Sequence, residues 1–214
     1  MSLLVTRTSM AERSQRLARL IADQLAKRQK PDGTFDQHSF YAPAFAAALW
    51  AQLDPALYAP QIEAALSALE AEQQTPRYHR EFIEHGLRQI PGLCAERLNA
   101  ILRNAPTQSP DVANWQVLGM INRHLSLKKG AGKNRKLINW LHWAFIRLRY
   151  WRAPLFWDRP TCFSGQYHAF CAALLTDSPE AAHRIIAAKA TALIAELSGD
   201  HGYANLLGRG AGQS

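Results

Sequence analysis

The sequence predicts an all-α protein built of antiparallel helical hairpins. Apolar residues recur at helical spacing through alanine-rich stretches. Runs of alternating β-branched residues, the pattern of half-buried strands, are missing. Proline or glycine interrupts the periodic stretches at short intervals, as expected of helices joined by tight connections. With 214 residues, of which 48% are hydrophobic, the chain can build a sizeable core. No convincing domain boundary is visible, so one all-helical domain over 1–214 is expected.

The elements follow in order. Residues 9–30 form an amphipathic helix with Leu17, Leu20, Ile21 and Leu25 on one face, ended by the turn residues Pro31-Asp32-Gly33. Residues 41–53 (Ala44, Phe45, Ala46, Ala47, Ala48, Leu49, Trp50) are apolar nearly all round, which predicts a helix buried on most sides and broken by Asp54-Pro55. Residues 58–73 present Ile62, Ala65, Leu66 and Leu69 on one face. Further helices are expected over 80–89, 93–103, 112–125, 135–150, 166–175 and 179–197. No fixed-period repeat is visible, so a consensus solenoid is not indicated.

Charge is concentrated. Nine of the 25 Lys and Arg lie between Val112 and Trp157 with no acid among them, while the rest of the chain is close to neutral. The three cysteines, Cys94, Cys162 and Cys171, are far apart and lack metal-ligand spacing, so reduced, buried thiols are expected, with neither disulfide framework nor zinc site. No metal or cofactor is called for. The first residues lack an apolar core of signal-peptide length, and no apolar run is long enough to span a bilayer, so a cytoplasmic protein is the simplest expectation.

Three punctuated loops loaded with aromatic and polar side chains run into apolar helical stretches: 31–41, 158–168 and 199–210. Loop residues held by rigid helices are where an all-helical protein places a ligand site. In the first, Gln29-Lys-Pro-Asp-Gly-Thr-Phe35 also serves as an ordinary inter-helix turn with Phe35 packed inward. Before the second, Asp111-Val-Ala-Asn114-Trp115 reads either as a functional helix entrance or as an Asp111 cap followed by a core Trp115. Tyr167 and His168 stand at the mouth of an apolar helix, where phenol and imidazole suit acid–base work or hydrogen-bonded packing. The third loop carries His201, Tyr203 and Arg209 among glycines, close to the last residue of the sequence, where chains commonly fray.

These segments, in this order, resemble the α/α-toroid polysaccharide lyases and their heparinase- and alginate-lyase-like relatives. The resemblance covers scattered positions from Gln29 to Gly210. It implies an incomplete toroid, because the family's full ring needs more helices than this chain supplies. It also implies binding or cleavage of an acidic polysaccharide. In that family a Tyr or His removes the proton next to a carboxylate, which marks Tyr167, His168 and Tyr203. Neutral or cationic groups hold the acidic sugar, which marks Asn114, Trp115, His201 and Arg209.

The basic segment supports a second reading. Lys128-Lys-Gly-Ala-Gly-Lys-Asn-Arg-Lys136 is not a phosphate loop, because Leu127 and Asn134 occupy the positions that need Gly and Ser or Thr. The stretch Leu137–Trp151 interleaves Trp140, Trp143, Phe145, Tyr150 and Trp151 with arginines. It reads as a non-catalytic module binding nucleic acid or an anionic membrane surface through residues 128–152, with Lys133, Arg135 and Lys136 as polyanion contacts. It reads equally as an ordinary helix packed by Trp140, Trp143 and Phe145 with a solvated basic edge.

Overall fold

The structure, a computed structural model, describes residues 10–36, 40–72, 79–103, 111–125, 133–159 and 162–197. Helices dominate these residues, so the fold class is all-α. The chain divides into two compact units, Met1–Thr107 and Gln108–Ser214.

The first unit contains α1 (Met10–Arg28), α2 (Ala42–Leu53), α3 (Ala59–Ala71), α4 (Arg80–Arg88) and α5 (Ala95–Leu102). Its centre is α2, which packs against α1, α3 and α4. The alanine-rich sequence explains this position: Ala44, Ala46, Ala47, Ala48 and Ala51 are all buried, and small side chains let neighbours approach on several sides. Gly86 of α4 sits so close to α2 that a Cβ there would lie 3.0 Å from the Ala44 Cβ. Trp50 is the large residue of this core, and its Nε1 donates to the Ala22 carbonyl of α1 at 3.0 Å.

That hydrogen bond corrects the expected orientation of α1. Trp50 can reach the backbone only where α1 presents a small residue, so Ala22 faces inward. Leu17, Leu20 and Ile21 are consequently exposed, and only Leu25 of the predicted apolar face is partly buried against the core. The connection after α1 is built as predicted. Gly33 takes φ +82°, Asp32 Oδ1 accepts from Thr34 N at 2.9 Å, and Phe35 packs on the core. The turn is pressed onto α3: Gln29 Nε2 donates to Gln61 O at 3.0 Å, and a Cβ on Gly33 would lie 1.9 Å from the Ala64 carbonyl oxygen. Arg97 of α5 clasps α3 through Glu63 (2.6 Å) and Glu70 (2.8 Å).

The second unit contains α6 (Ala113–Leu125), α7 (Lys133–Arg149), β1 (Trp151–Arg152), β2 (Leu155–Arg159), β3 (Cys162–Phe163), α8 (Gly165–Thr176) and α9 (Ala181–Leu197). Helix α8 packs on α6 and α9, and α7 packs on α6. The three short strands form an antiparallel sheet in the order β1-β2-β3, with Trp151 opposite Phe156 and Trp157 opposite Phe163. This sheet departs from the strand-free expectation. Each strand carries at least one aromatic residue, which favours extended backbone as β-branched residues do, and the strands are too short to show an alternation. Strand β2 carries buried Phe156 and lies against α6, α8 and α9.

The cysteines also differ from expectation. All three are free, but only Cys171 is buried, where burial and the nearby Asp158 carboxylate raise its thiol pKa; Cys94 is exposed and Cys162 half-buried.

Candidate functional site

The expected lyase-like residues divide by position. Tyr203, His201 and Arg209 lie outside the described residues. Asn114, Trp115, Tyr167 and His168 belong to the second unit, on the packed pair α6 and α8. Asn114 is buried, and its Oδ1 accepts no hydrogen bond among the described residues. Trp115 and Tyr167 are half-buried. Ser164 caps α8 by accepting from the Tyr167 amide at 3.4 Å, so the sequence Ser164-Gly-Gln-Tyr167 starts the helix.

His168 is 1% exposed, and both its ring nitrogens are engaged by backbone. Phe156 N donates to Nδ1 at 3.0 Å, which leaves the ring proton on Nε2, where it points to the Ala190 carbonyl at 3.2 Å. The imidazole therefore ties β2 to α9 through α8. Burial lowers its pKa and keeps it neutral. Its lone pair and its proton are both in use, in the hydrogen-bonded packing that was one of the two roles expected of it. Asp111 likewise does something else with its carboxylate than the capping expected of it: it accepts from Arg149 and from the Tyr150 hydroxyl, joining the start of α6 to the end of α7. These two donors hold Asp111 below the usual carboxylate range, while burial and the carboxylate push Tyr150 up to about 12.

The basic segment holds the more distinctive geometry. Asn139, Trp143 and Ile146 of α7, with Tyr150 just beyond it, recur at i, i+4, i+7 and i+11 and are buried. Beneath them lies a set of histidines. His142 Nδ1 faces Arg123, and its Nε2 faces Gln116 Oε1 at 2.8 Å. Asn139 Nδ2 lies 3.0 Å from His124 Nδ1, and the Trp143 ring lies 4.2 Å from that of His183. Burial, reinforced by Arg123, pulls His142 down to about 4. Burial does the same to His183. His183 Nδ1 lies 2.7 Å from Ser178 Oγ, which accepts from the Glu180 amide at the entrance to α9.

The opposite side of α7 is also apolar, and it is exposed. Leu137, Leu141 and Leu148 fall at i, i+4 and i+11, flanked by Ile138, Trp140 and Phe145; Leu148 is 89% exposed and Trp140 62%. This overturns the reading of Trp140 and Phe145 as core packing residues, because the buried stripe of α7 is already filled by Trp143, Ile146 and Tyr150. Lys136 and Arg147 border the exposed face and have no acidic partner among the described residues; Arg149 is paired with Asp111. The side chains of Lys133 and Arg135 lie outside what the structure describes. Sequence reasoning found the cations, Arg147 among the nine, and missed the exposed apolar face of Leu137, Leu141 and Leu148. Two apolar stripes on opposite sides of one helix were the available signal.

Among the described residues no group of His, Cys, Asp and Glu could hold a metal ion, and no helix is long and apolar enough to cross a membrane. The chain matches no protein-family model, no curated protein and no solved structure.

Proposed function

We propose that the protein is a non-catalytic helical module that works from the cytoplasm and binds a polyanionic surface through α7. The observation that carries this reading is the exposed face of α7, apolar and aromatic at its centre and bordered by Lys136 and Arg147, within a segment that holds nine cations and no acid. Apolar surface of this size is costly to leave in water, and the cation-only composition selects a negatively charged partner. Acid–base chemistry has less support, since His168 uses both ring nitrogens to join secondary-structure elements.

The test is binding of the intact chain to a panel of polyanions: anionic vesicles, single-stranded nucleic acid and an acidic polysaccharide, at rising salt. Binding to at least one, weakening steeply with salt and lost in the double charge reversal Lys136→Glu, Arg147→Glu, is expected. Retention of full binding after the reversal, or binding to none of the panel, would reject the proposal.

A further inference from the structure

We infer that the polyanionic surface taken by α7 is an anionic lipid bilayer, into which the helix inserts its exposed apolar face while lying in the interface plane. The inference rests on the preceding reading of α7 as the polyanion contact and names its partner.

The distribution of side chains around α7 separates the candidate partners. Aliphatic residues, Leu137, Leu141 and Leu148, run along the middle of the exposed face. Trp140 and Phe145 stand beside them, and Lys136 and Arg147 lie outside the apolar strip. An interfacial helix has this order: leucines reach the acyl chains, aromatic rings settle at headgroup level, and cations stay with the phosphates. Lysine and arginine stems are long enough to keep their charge in water while the strip beside them is covered.

A nucleic acid would be served differently. It needs cations along the contact line and aromatic faces for the bases, and three leucines would add no stacking or phosphate contact. A second copy of the chain, pairing this face with itself, would bring the cations of both copies together with no acid from residues 112–157 to compensate. The lipid surface matches both the aliphatic centre and the cations Lys136 and Arg147 that flank it. The buried stripe also fits this use. Trp143 against His183, Asn139 against His124 and the Arg149–Asp111 pair fasten α7 to the rest of the second unit, so insertion of its outer face requires no unfolding.

The intact protein should be tested with vesicles of phosphatidylcholine, alone and mixed with phosphatidylglycerol, with and without brominated acyl chains. Partition to the anionic vesicles, quenching of tryptophan emission by the brominated chains, and a smaller quench in Trp140→Phe are the expected results. The double variant Leu141→Asn, Leu148→Asn changes two exposed positions and should lower partition at least about tenfold, as loss of two inserted leucines demands. Unquenched emission, or undiminished partition of the leucine variant, overturns insertion even where salt-sensitive binding persists, and leaves the polyanion reading standing. Tight binding to single-stranded nucleic acid with no partition to anionic vesicles overturns the lipid assignment in the same way. Failure of the wild type to bind any member of the polyanion panel removes the underlying reading. The quenching experiment on the wild type needs no substitution, so misfolding of a variant cannot mask the answer.

Discussion

The Trp143 indole packs with its centroid 4.2 Å from the His183 imidazole, so the inner face of α7 rests on a histidine of α9 that burial holds neutral. A second neutral histidine, His142, sits on α7 itself against Arg123 and Gln116. Both have folded pKa values of about 4, below the value near 6.5 of an unfolded chain. The unfolded state therefore binds more protons between these limits. Stability should be fully present above about pH 6.5 and fall as the pH drops toward 4. For His183, which is buried, the loss should be on the order of a few kcal/mol. Urea midpoints measured from pH 7 to 4 should show this decline, and His183→Phe should flatten part of it. An unchanged slope in that variant would remove His183 from the account.

Gly33→Ala should destabilise the first unit by about 2–4 kcal/mol. The new Cβ meets the Ala64 carbonyl oxygen at 1.9 Å, and the backbone has φ +82°. Gly92 provides the comparison. Its φ is +77°, but a Cβ there meets nothing within 4 Å, so Gly92→Ala should cost only about 1 kcal/mol of left-handed strain. Equal losses in urea denaturation would mean that the contact with α3 is unimportant.

Trp50→Phe keeps an aromatic ring in the core and removes the donor to Ala22 O. The buried carbonyl then loses its partner from α2, at a cost of about 1–3 kcal/mol. Thermal denaturation checks the loss, and protection of α1 amides against hydrogen exchange should fall further than that of α5 amides.

His168→Ala should lower stability by about 2–4 kcal/mol, because the Phe156 amide and Ala190 carbonyl both lose a buried partner. Below its melting temperature the variant should bind polyanions like the wild type. Loss of binding in a variant that remains folded would return His168 to the functional site.

Tyr150→Phe removes a buried hydroxyl that donates to Asp111 and should cost about 1–2 kcal/mol. Arg149→Ala should cost less than Tyr150→Phe, since this exposed ion pair is screened by solvent. The reverse ranking, measured by urea denaturation, would show that Arg149 carries the link between α6 and α7.

Helices were legible because their signal is local. Alanine runs, Asp54-Pro55 after α2 and Asp32-Gly33 after α1 act within a few residues, and the observed helices begin and end close to the expected places. The burial of Ala65, Leu66 and Leu69 was legible for the same reason. Which face of α1 and of α7 turns inward was not, since each carries apolar residues on more than one side and only the neighbouring element chooses between them. The sheet was hidden because aromatic strands of two to five residues leave no periodic trace.

By itself, then, the sequence determined the all-α class, the order of the helices and the concentration of positive charge in one segment. These follow from backbone propensity, turn chemistry and composition, which need no partner. Tertiary structure decided that Ala22 rather than Leu20 meets Trp50, that His168 joins β2 to α9, and that Trp140 and the leucines of α7 stay outside while Trp143 and Ile146 go in. Each outcome depends on which side chain fits a space or a hydrogen-bonding group supplied from a distant part of the chain, and packing in a dense interior allows only one of the alternatives at each place.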